Sequence, residues 1–295
     1  MAKMLEPAQR GSQRGATDVA PHAPERPIRT LIFTDLDQTL LDDGYDLTSA
    51  AAAMDGLRAR GIAVIPVSSK TLPELEALAA LRREQTPLIF ENGAGIAWPL
   101  ALAPNTLSTF THDRAIEIEG QPYERLCEAL AKLRAQGGYR FTGFFDMSEA
   151  EVARRTGLTV SAARLAKTRH CSEPLVWQDS PEQLSEFCRA VRTKGLRLQN
   201  GGRFVHVMPD TDKGRAAAKV SAAYRKSEPA ALRTLACGDS PNDQALLEYA
   251  DACALFPRPD GSYLDIGNKP IICADRAGTA GWLAAVDDLL KATES

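Results

Sequence analysis

Two acidic clusters, far apart in the chain, each follow a short apolar run. Asp35-Leu36-Asp37-Gln38-Thr39 comes after Leu31-Ile32-Phe33, and Gly238-Asp239-Ser240-Pro241-Asn242-Asp243 comes after Leu235-Ala236-Cys237. Such runs read as buried parallel strands, and open α/β sheets hold their ligands at the C-terminal ends of those strands. Residues two apart on an extended chain point the same way, so Asp35 and Asp37 can face one substrate. Several carboxylates crowded into one crevice repel each other. A hard divalent cation with oxygen ligands removes that conflict, and Mg2+ typically uses one or two carboxylates with waters and a substrate phosphate. The chemistry that fits is metal-assisted phosphoryl transfer. A lone Asp-x-Asp after a strand is more often a solvated turn. Two such strand ends, with a Ser and a Lys between them, change the balance.

The elements that would position these acids alternate strand and helix from Ile28 onward, the rhythm of parallel βαβ units. Strands are expected at Thr30–Thr34, Ala63–Val67 and Leu88–Phe90, with an amphipathic segment near Ser49–Arg60. Thr71-Leu72-Pro73-Glu74 is a capping box with Pro in the first turn, and Leu75, Leu78 and Leu81 form the apolar face of the helix it opens. The rhythm returns late, with a helix over about Asp212 to Arg225 and strands at Leu232–Cys237, Ala252–Leu255 and near Ile271–Cys273. A last helix follows Gly278, with Trp282, Leu283, Val286, Leu289 and Leu290 on its apolar face. These early and late blocks need each other to complete one sheet, so residues 28–111 and 208–295 form one core domain. Residues 112–207 are then an insertion. It contains helix starts at Ser148-x-x-Glu151 and Ser180-Pro181-x-Gln183 and strand-like runs at Tyr139–Phe144, Pro174–Trp177 and Arg203–Val207, which suggests an α+β cap over the crevice.

Composition narrows the function classes. With 44% hydrophobic and 25% charged residues, the chain of 295 residues suits one large globular domain or two. A formal net charge of −3 speaks against a nucleic-acid surface, which carries a basic stripe. The six cysteines form no C-x-x-C pair and the four histidines are scattered, so neither a zinc site nor a disulfide framework is expected, and reducing cytoplasm is the expected compartment. No membrane span is expected. Residues 1–27 have no apolar signal core and read as a disordered extension. Neither a G-x-x-x-x-G-K-[ST] loop nor a G-x-G-x-x-G after a strand is present, which disfavours ordinary NTPases and dinucleotide enzymes.

In order and spacing, Asp35-x-Asp37-x-Thr39, Ser68 at the end of the second strand, Lys213-Gly214, and Gly238-Asp239-x-x-Asn242-Asp243 resemble the four motifs of the haloacid dehalogenase superfamily of aspartyl-phosphate enzymes. The resemblance covers essentially all of residues 28–295 and implies a parallel-sheet, Rossmann-like α/β core with an inserted α+β cap of the sugar-phosphatase branch. More finely, Ser68-Ser69-Lys70-Thr71, Glu91-Asn92-Gly93-Ala94, Gly143-Phe144-Phe145-Asp146-Met147, Ser172-Glu173-Pro174-Leu175, Gly201-Gly202-Arg203-Phe204 and Asp212-Lys213-Gly214 are similar to mannosyl-3-phosphoglycerate phosphatases. That family, as the resemblance implies, releases phosphate from mannosyl-3-phosphoglycerate and leaves mannosylglycerate, a compatible solute. One departure is Gln38, where the family usually has Gly.

The resemblance implies Asp35 as nucleophile, Asp37 as acid and then base, Ser68 and Thr39 as phosphate donors, and Lys213 as the compensating cation. It implies Mg2+ held by Asp35, Asp239 and the Asp37 carbonyl, with Asp243 orienting metal waters. For the phosphorylated sugar-glycerate substrate, Arg169 and Arg203 are candidates for its carboxylate and Lys70, beside Ser69, for its charged end. Asn92, Asp146 and Glu173 are candidates for sugar hydroxyls. The aromatic residues Phe141, Phe144, Phe145 and Trp177 read as cap core rather than sugar platform. Three alternatives stay open: glucosyl-3-phosphoglycerate or another sugar phosphate as substrate, a phosphosugar mutase, and a non-catalytic sugar-phosphate sensor. Oligomeric state has no signature in the sequence.

Overall fold

A computed structural model describes residues 27–41, 47–78, 85–111, 113–201, 203–227, 231–267 and 271–293. The expected extension over residues 1–27, apart from Pro27, lies outside the described residues, as do Leu81 and Gly202.

At the centre is an all-parallel sheet in the order β13 (Ile271–Cys273), β12 (Ala252–Leu255), β11 (Arg233–Gly238), β1 (Thr30–Thr34), β2 (Ile62–Pro66). The apolar runs are continuous because both faces are covered. Ile32 and Leu235 face a layer with Met54 and Leu57 of α1 (Leu47–Ala59) and Trp282 and Leu289 of α9 (Thr279–Thr293). Leu31, Phe33 and Ala236 face the opposite layer, with Ala217 and Val220 of α7 (Lys213–Ser227) and Leu246 and Leu247 of α8 (Gln244–Tyr249). The early and late halves of the chain thus complete one sheet. The parallel-sheet α/β core is as expected from the sequence.

Two antiparallel sheets follow. The first has the order β3 (Leu88–Phe90), β4 (Gly95–Pro99), β6 (Arg114–Ile118), β5 (Phe110–Thr111), and a parallel bridge from Val67 to Ile89 ties it to β2. β4 and β6 were not expected from the sequence. The second sheet has the order β7 (Phe141–Gly143), β8 (Glu173–Trp177), β10 (Val205–Pro209), β9 (Leu196–Asn200). One of its faces packs Phe141, Leu175, Leu196 and Val207 against α3 (Tyr123–Gly137) and α6 (Pro181–Arg192). Its other face is partly covered by α4 (Glu149–Thr156) and α5 (Val160–Lys167), through Val152 and Ala163 against Val176 and Phe204.

The capping predictions correspond to formed caps: Thr71 accepts from Glu74 N at 3.3 Å while Glu74 accepts from Thr71 N at 2.8 Å, opening α2 (Leu72–Ala77). Ser148 and Ser180 cap α4 and α6 by accepting from Glu151 N and Gln183 N at their side-chain oxygens. The two connections between the sheets run side by side. Gly120 has φ 73°, a left-handed conformation that favours glycine, and a Cβ there would come within a tight 3.0 Å of Pro209 Cγ.

Candidate active site

The two acidic motifs meet because β1 and β11 are neighbours. The Asp35 amide donates to Cys237 O at 2.9 Å, which sets the ends of both strands together. The loop beyond Asp35 turns sharply: Leu41 N donates to Leu36 O at 2.8 Å, and Gly278 N holds Thr39 O at 3.0 Å. Gln38 sits in this turn with φ 59°, the left-handed region that favours glycine, which gives a physical reason for glycine at this position in the family it resembles. Ser68 follows β2, and its Oγ accepts from Lys70 N at 3.2 Å.

Lys213, at the start of α7, is fully buried and bridges the two motifs. Its Nζ lies 2.7 Å from Asp35 Oδ1 and 2.5 Å from Asp243 Oδ1. Gly214 lets α7 come this close, since a Cβ there would sit 2.3 Å from Ala245 O. Burial alone would lower the Lys213 pKa, but Asp243 and Asp35 more than offset it, and the ammonium is held charged. One cation cannot balance what surrounds it. Asp35, Asp239 and Asp243 are buried and each offers an oxygen within 4.8 Å of the others. Burial pushes the Asp35 carboxyl well above its usual range, against the pull of Lys213 and with Asp243 and Asp37 adding to it. Burial and Asp243 likewise raise Asp239 to about 7, partly opposed by Lys213. A buried all-oxygen cluster with unbalanced negative charge fits a hard divalent cation. Asp243 is less open to it than the others, because its Oδ2 already accepts from Asp239 N at 3.2 Å and Ser240 N at 3.1 Å. The Asp37 carboxylate stands apart from the cluster, 2.7 Å from Lys70 Nζ. Thr39 Oγ1 donates to Asp239 at 3.4 Å.

Two lobes of a crevice open above these acids, and Asp37, Gln38, Ser69 and His206 line both. The first lobe, about 400 Å³, adds Lys70, Glu74, Arg169, Arg203 and Phe204. The second, about 700 Å³, adds Asp35, Asn92, Arg197, Gln199, Asp239 and Asn242. Asn242 Nδ2 donates to Asn92 Oδ1 at 3.0 Å, joining the loop after β3 to the loop after β11.

Two residues expected at the sugar lie elsewhere. Glu173 pairs with Val207 across the strands and shares that residue's face, toward α3. There it accepts from Tyr123 Oη at 2.6 Å and Phe145 N at 2.8 Å, and neither lobe includes it. Asp146 caps the turn after β7, bonded to Arg134 at 2.7 and 3.1 Å and to Gly143 N at 3.0 Å. Arg169 does line the first lobe, but its guanidinium is largely committed, with Nε 2.7 Å from Ser172 O and Nη2 2.8 Å from Ser172 Oγ. Arg203 is exposed at the lobe and donates to Thr156 O at 2.9 Å. Of the aromatic residues, Phe141 stacks on Trp177 and Phe144 meets Phe204 edge-on, while Phe145 is 63% exposed.

Arg197, Gln199 and His206 are crevice residues that the sequence reading missed. The available signal was alternation in Leu196-Arg197-Leu198-Gln199, whose leucines face α6 and whose polar residues take the other face. Glu91 was also missed as a structural residue. It is fully buried, and it accepts from His170 N at 2.8 Å, Cys171 N at 3.2 Å and Ser172 Oγ at 2.7 Å, tying the turn after β3 to the segment between α5 and β8. Burial would raise its pKa, but Arg169 and these donors bring it down to about 2. Because the folded value lies below the unfolded one, its contribution is present above pH 4.5 and is lost as pH falls toward 2. Glu91→Gln is therefore expected to remove about 3 kcal/mol of stability at pH 7 and to flatten the acid limb. Urea unfolding at pH 7, 5 and 3 checks this; parallel pH profiles for both proteins would contradict it.

The chain is 33% identical over 268 residues to a glucosyl-3-phosphoglycerate/mannosyl-3-phosphoglycerate phosphatase of Methanococcoides burtonii, a match covering 89% of this chain and 98% of that protein. A protein of the same description from Persephonella marina is 29% identical over 267 residues, covering 90% and 98%. A haloalkanoate-superfamily phosphatase from Bacteroides thetaiotaomicron superposes with a TM-score of 0.61 at 15% identity, over 93% of this chain and 99% of that one, a likeness of fold. No protein-family model matches the chain.

Proposed function

Since the chain belongs to the glucosyl-3-phosphoglycerate/mannosyl-3-phosphoglycerate phosphatase family of the haloacid dehalogenase superfamily, and is thereby a phosphoric monoester hydrolase, we propose that it releases phosphate from mannosyl-3-phosphoglycerate through an aspartyl-phosphate. The observation that carries this reading is the buried Asp35–Lys213–Asp243 array with Asp239, opening into a crevice of two lobes. The glucosyl compound is the second reading, because the names of both relatives include it.

Asp35 attacks phosphorus, and the bond from phosphorus to the glycerate oxygen breaks. Asp37 gives a proton to that leaving oxygen and afterwards takes one from the water that hydrolyses the intermediate. Its partner Lys70 is drawn from Asp37 toward the incoming substrate's charge. The Ser68 hydroxyl, which already accepts from Lys70 N, donates to a phosphate oxygen, as does Thr39 once its hydroxyl turns from Asp239, while Lys213 offsets charge moving away from Asp35. Asp35, Asp239 and the Asp37 carbonyl, with Asp243 behind, would hold Mg2+, which when bound would neutralise the carboxylate and phosphate charges.

The cap role belongs to the inserted segment. The sequence places it at 112–207; because β6 pairs with β4, its first edge is better set near Gly120. Opening and closing about this edge admits water after transfer and excludes it during transfer. Arg203 and Lys70 serve the substrate's carboxylate in the first lobe. No helix among the described residues is long and apolar enough to cross a membrane. The described cysteines are free thiols, which supports a cytoplasmic setting. The product is mannosylglycerate, a compatible solute.

The test is phosphate release from mannosyl-3-phosphoglycerate, glucosyl-3-phosphoglycerate, 3-phosphoglycerate and mannose 6-phosphate, after chelation and again with added Mg2+. Activity is expected only with metal, with a preference of about 100-fold, or ~2.7 kcal/mol, for the mannosyl compound. Equal rates on all four would discard the substrate, and full activity after chelation would discard the metal.

A further inference from the structure

The two lobes differ in chemistry in a way that assigns the arms of a branched substrate. The first carries the cations Lys70, Arg169 and Arg203 against Asp37 and Glu74. The second, beyond its acids, includes several amide side chains, with Gln199 on β9 above and Asn92 and Asn242 below. Arg197 is the cation there, and its guanidinium is engaged by Thr211 O at 3.1 Å and Gln199 Oε1 at 2.9 Å.

These contacts orient the amides. Arg197 occupies the Gln199 oxygen and leaves Nε2 as a donor. Asn242 does the same to Asn92, occupying Oδ1 and leaving Nδ2. Gln199 stands directly opposite His206 across the strand pair, on the face away from the leucines, and His206 Nδ1 is buried without a hydrogen-bond partner. Burial and Arg169 hold that imidazole neutral, with its pKa lowered to about 3. Neutral amide donors can serve sugar hydroxyls, which need no counter-charge, whereas a carboxylate is better matched by Lys70 and Arg203 in the first lobe.

We propose that the lobe between Gln199 and the Asn92–Asn242 pair holds the hexose of a glycosylated phosphoglycerate, and that Gln199 is a specificity-determining residue which reads its hydroxyls. The assignment rests on the glycosyl-phosphoglycerate reading above. Glycerate bears phosphate, carboxylate and glycosyl oxygen on three different carbons, so three arms must diverge. The acids take the phosphate, the cationic lobe takes the carboxylate, and the amide lobe remains for the sugar.

The experiment compares kcat/KM of the full chain and of Gln199→Ala and Gln199→Leu on mannosyl-3-phosphoglycerate, glucosyl-3-phosphoglycerate and bare 3-phosphoglycerate. The ratio of glycosylated to bare substrate is expected to fall at least ~10-fold in both variants, mainly through KM, because a sugar hydroxyl loses its partner. A ratio that stays constant, whether turnover is intact or lost equally on all substrates, would overturn the assignment alone. Failure of the unsubstituted protein to act on either glycosylated compound would instead overturn the proposed function, and this assignment with it.

Discussion

Asp35→Asn is expected to reduce phosphate release by at least ~10⁴-fold, because the amide lacks the oxygen nucleophile that no neighbouring group replaces. The same substitution should leave the fold intact. Asn has the shape of Asp, and Lys213 keeps Asp243 at 2.5 Å as its counter-charge. Burial pushes the Asp35 carboxyl up, with Asp243 and Asp37 adding to the effect, so the charge is held at a cost in the metal-free protein. Thermal unfolding without metal should therefore show a midpoint equal to or above that of the parent. Turnover within tenfold of the parent would place the nucleophile elsewhere.

Lys213→Met should do the reverse, damaging both stability and turnover. The methionine fills similar volume but leaves Asp35 and Asp243 facing each other in a buried site without their cation. Removing one partner from a buried ion pair costs about 3–5 kcal/mol. Loss of the charge that offsets phosphoryl transfer should lower kcat by roughly 10²–10³-fold. The two substitutions must be coupled, since Asp35→Asn removes one of the stranded charges. The double variant should therefore be less destabilised than the two single effects combined. Denaturant titration of the four proteins measures this, and strict additivity would mean that Lys213 and Asp35 do not share the network their geometry describes.

The core was legible in the sequence because its signals are local. A strand buried on both faces writes itself as a continuous apolar run, and the acids follow at once, as with Leu31-Ile32-Phe33 before Asp35. Lys213 and Ser68 became legible through their order along the chain; nothing in their immediate surroundings sets them apart. The cap resisted the same treatment. Glu173 and Asp146 have the right chemistry for a sugar, but strand register turns Glu173 toward Tyr123, and Arg134 occupies Asp146. Asn92, a candidate from its motif, lines the second lobe, whereas Gln199 reaches it through a strand whose alternation is short and marked by no motif. Which face of a half-buried strand looks inward depends on partners far away in the chain, and Glu91, gripping the segment before β8, is of the same kind.

The contact between Gly120 and Pro209 has a bearing on descent as well as on mechanics. A segment whose entry and exit touch is, to the rest of the chain, a loop of zero span: it can lengthen, shrink or be exchanged without altering the order of strands beneath it. A lineage can therefore keep one hydrolytic engine unchanged and vary what is seated above it. On the proposed reading, new substrates would then arise by rewriting a single detachable passage, and the buried acids beneath it need never be rebuilt.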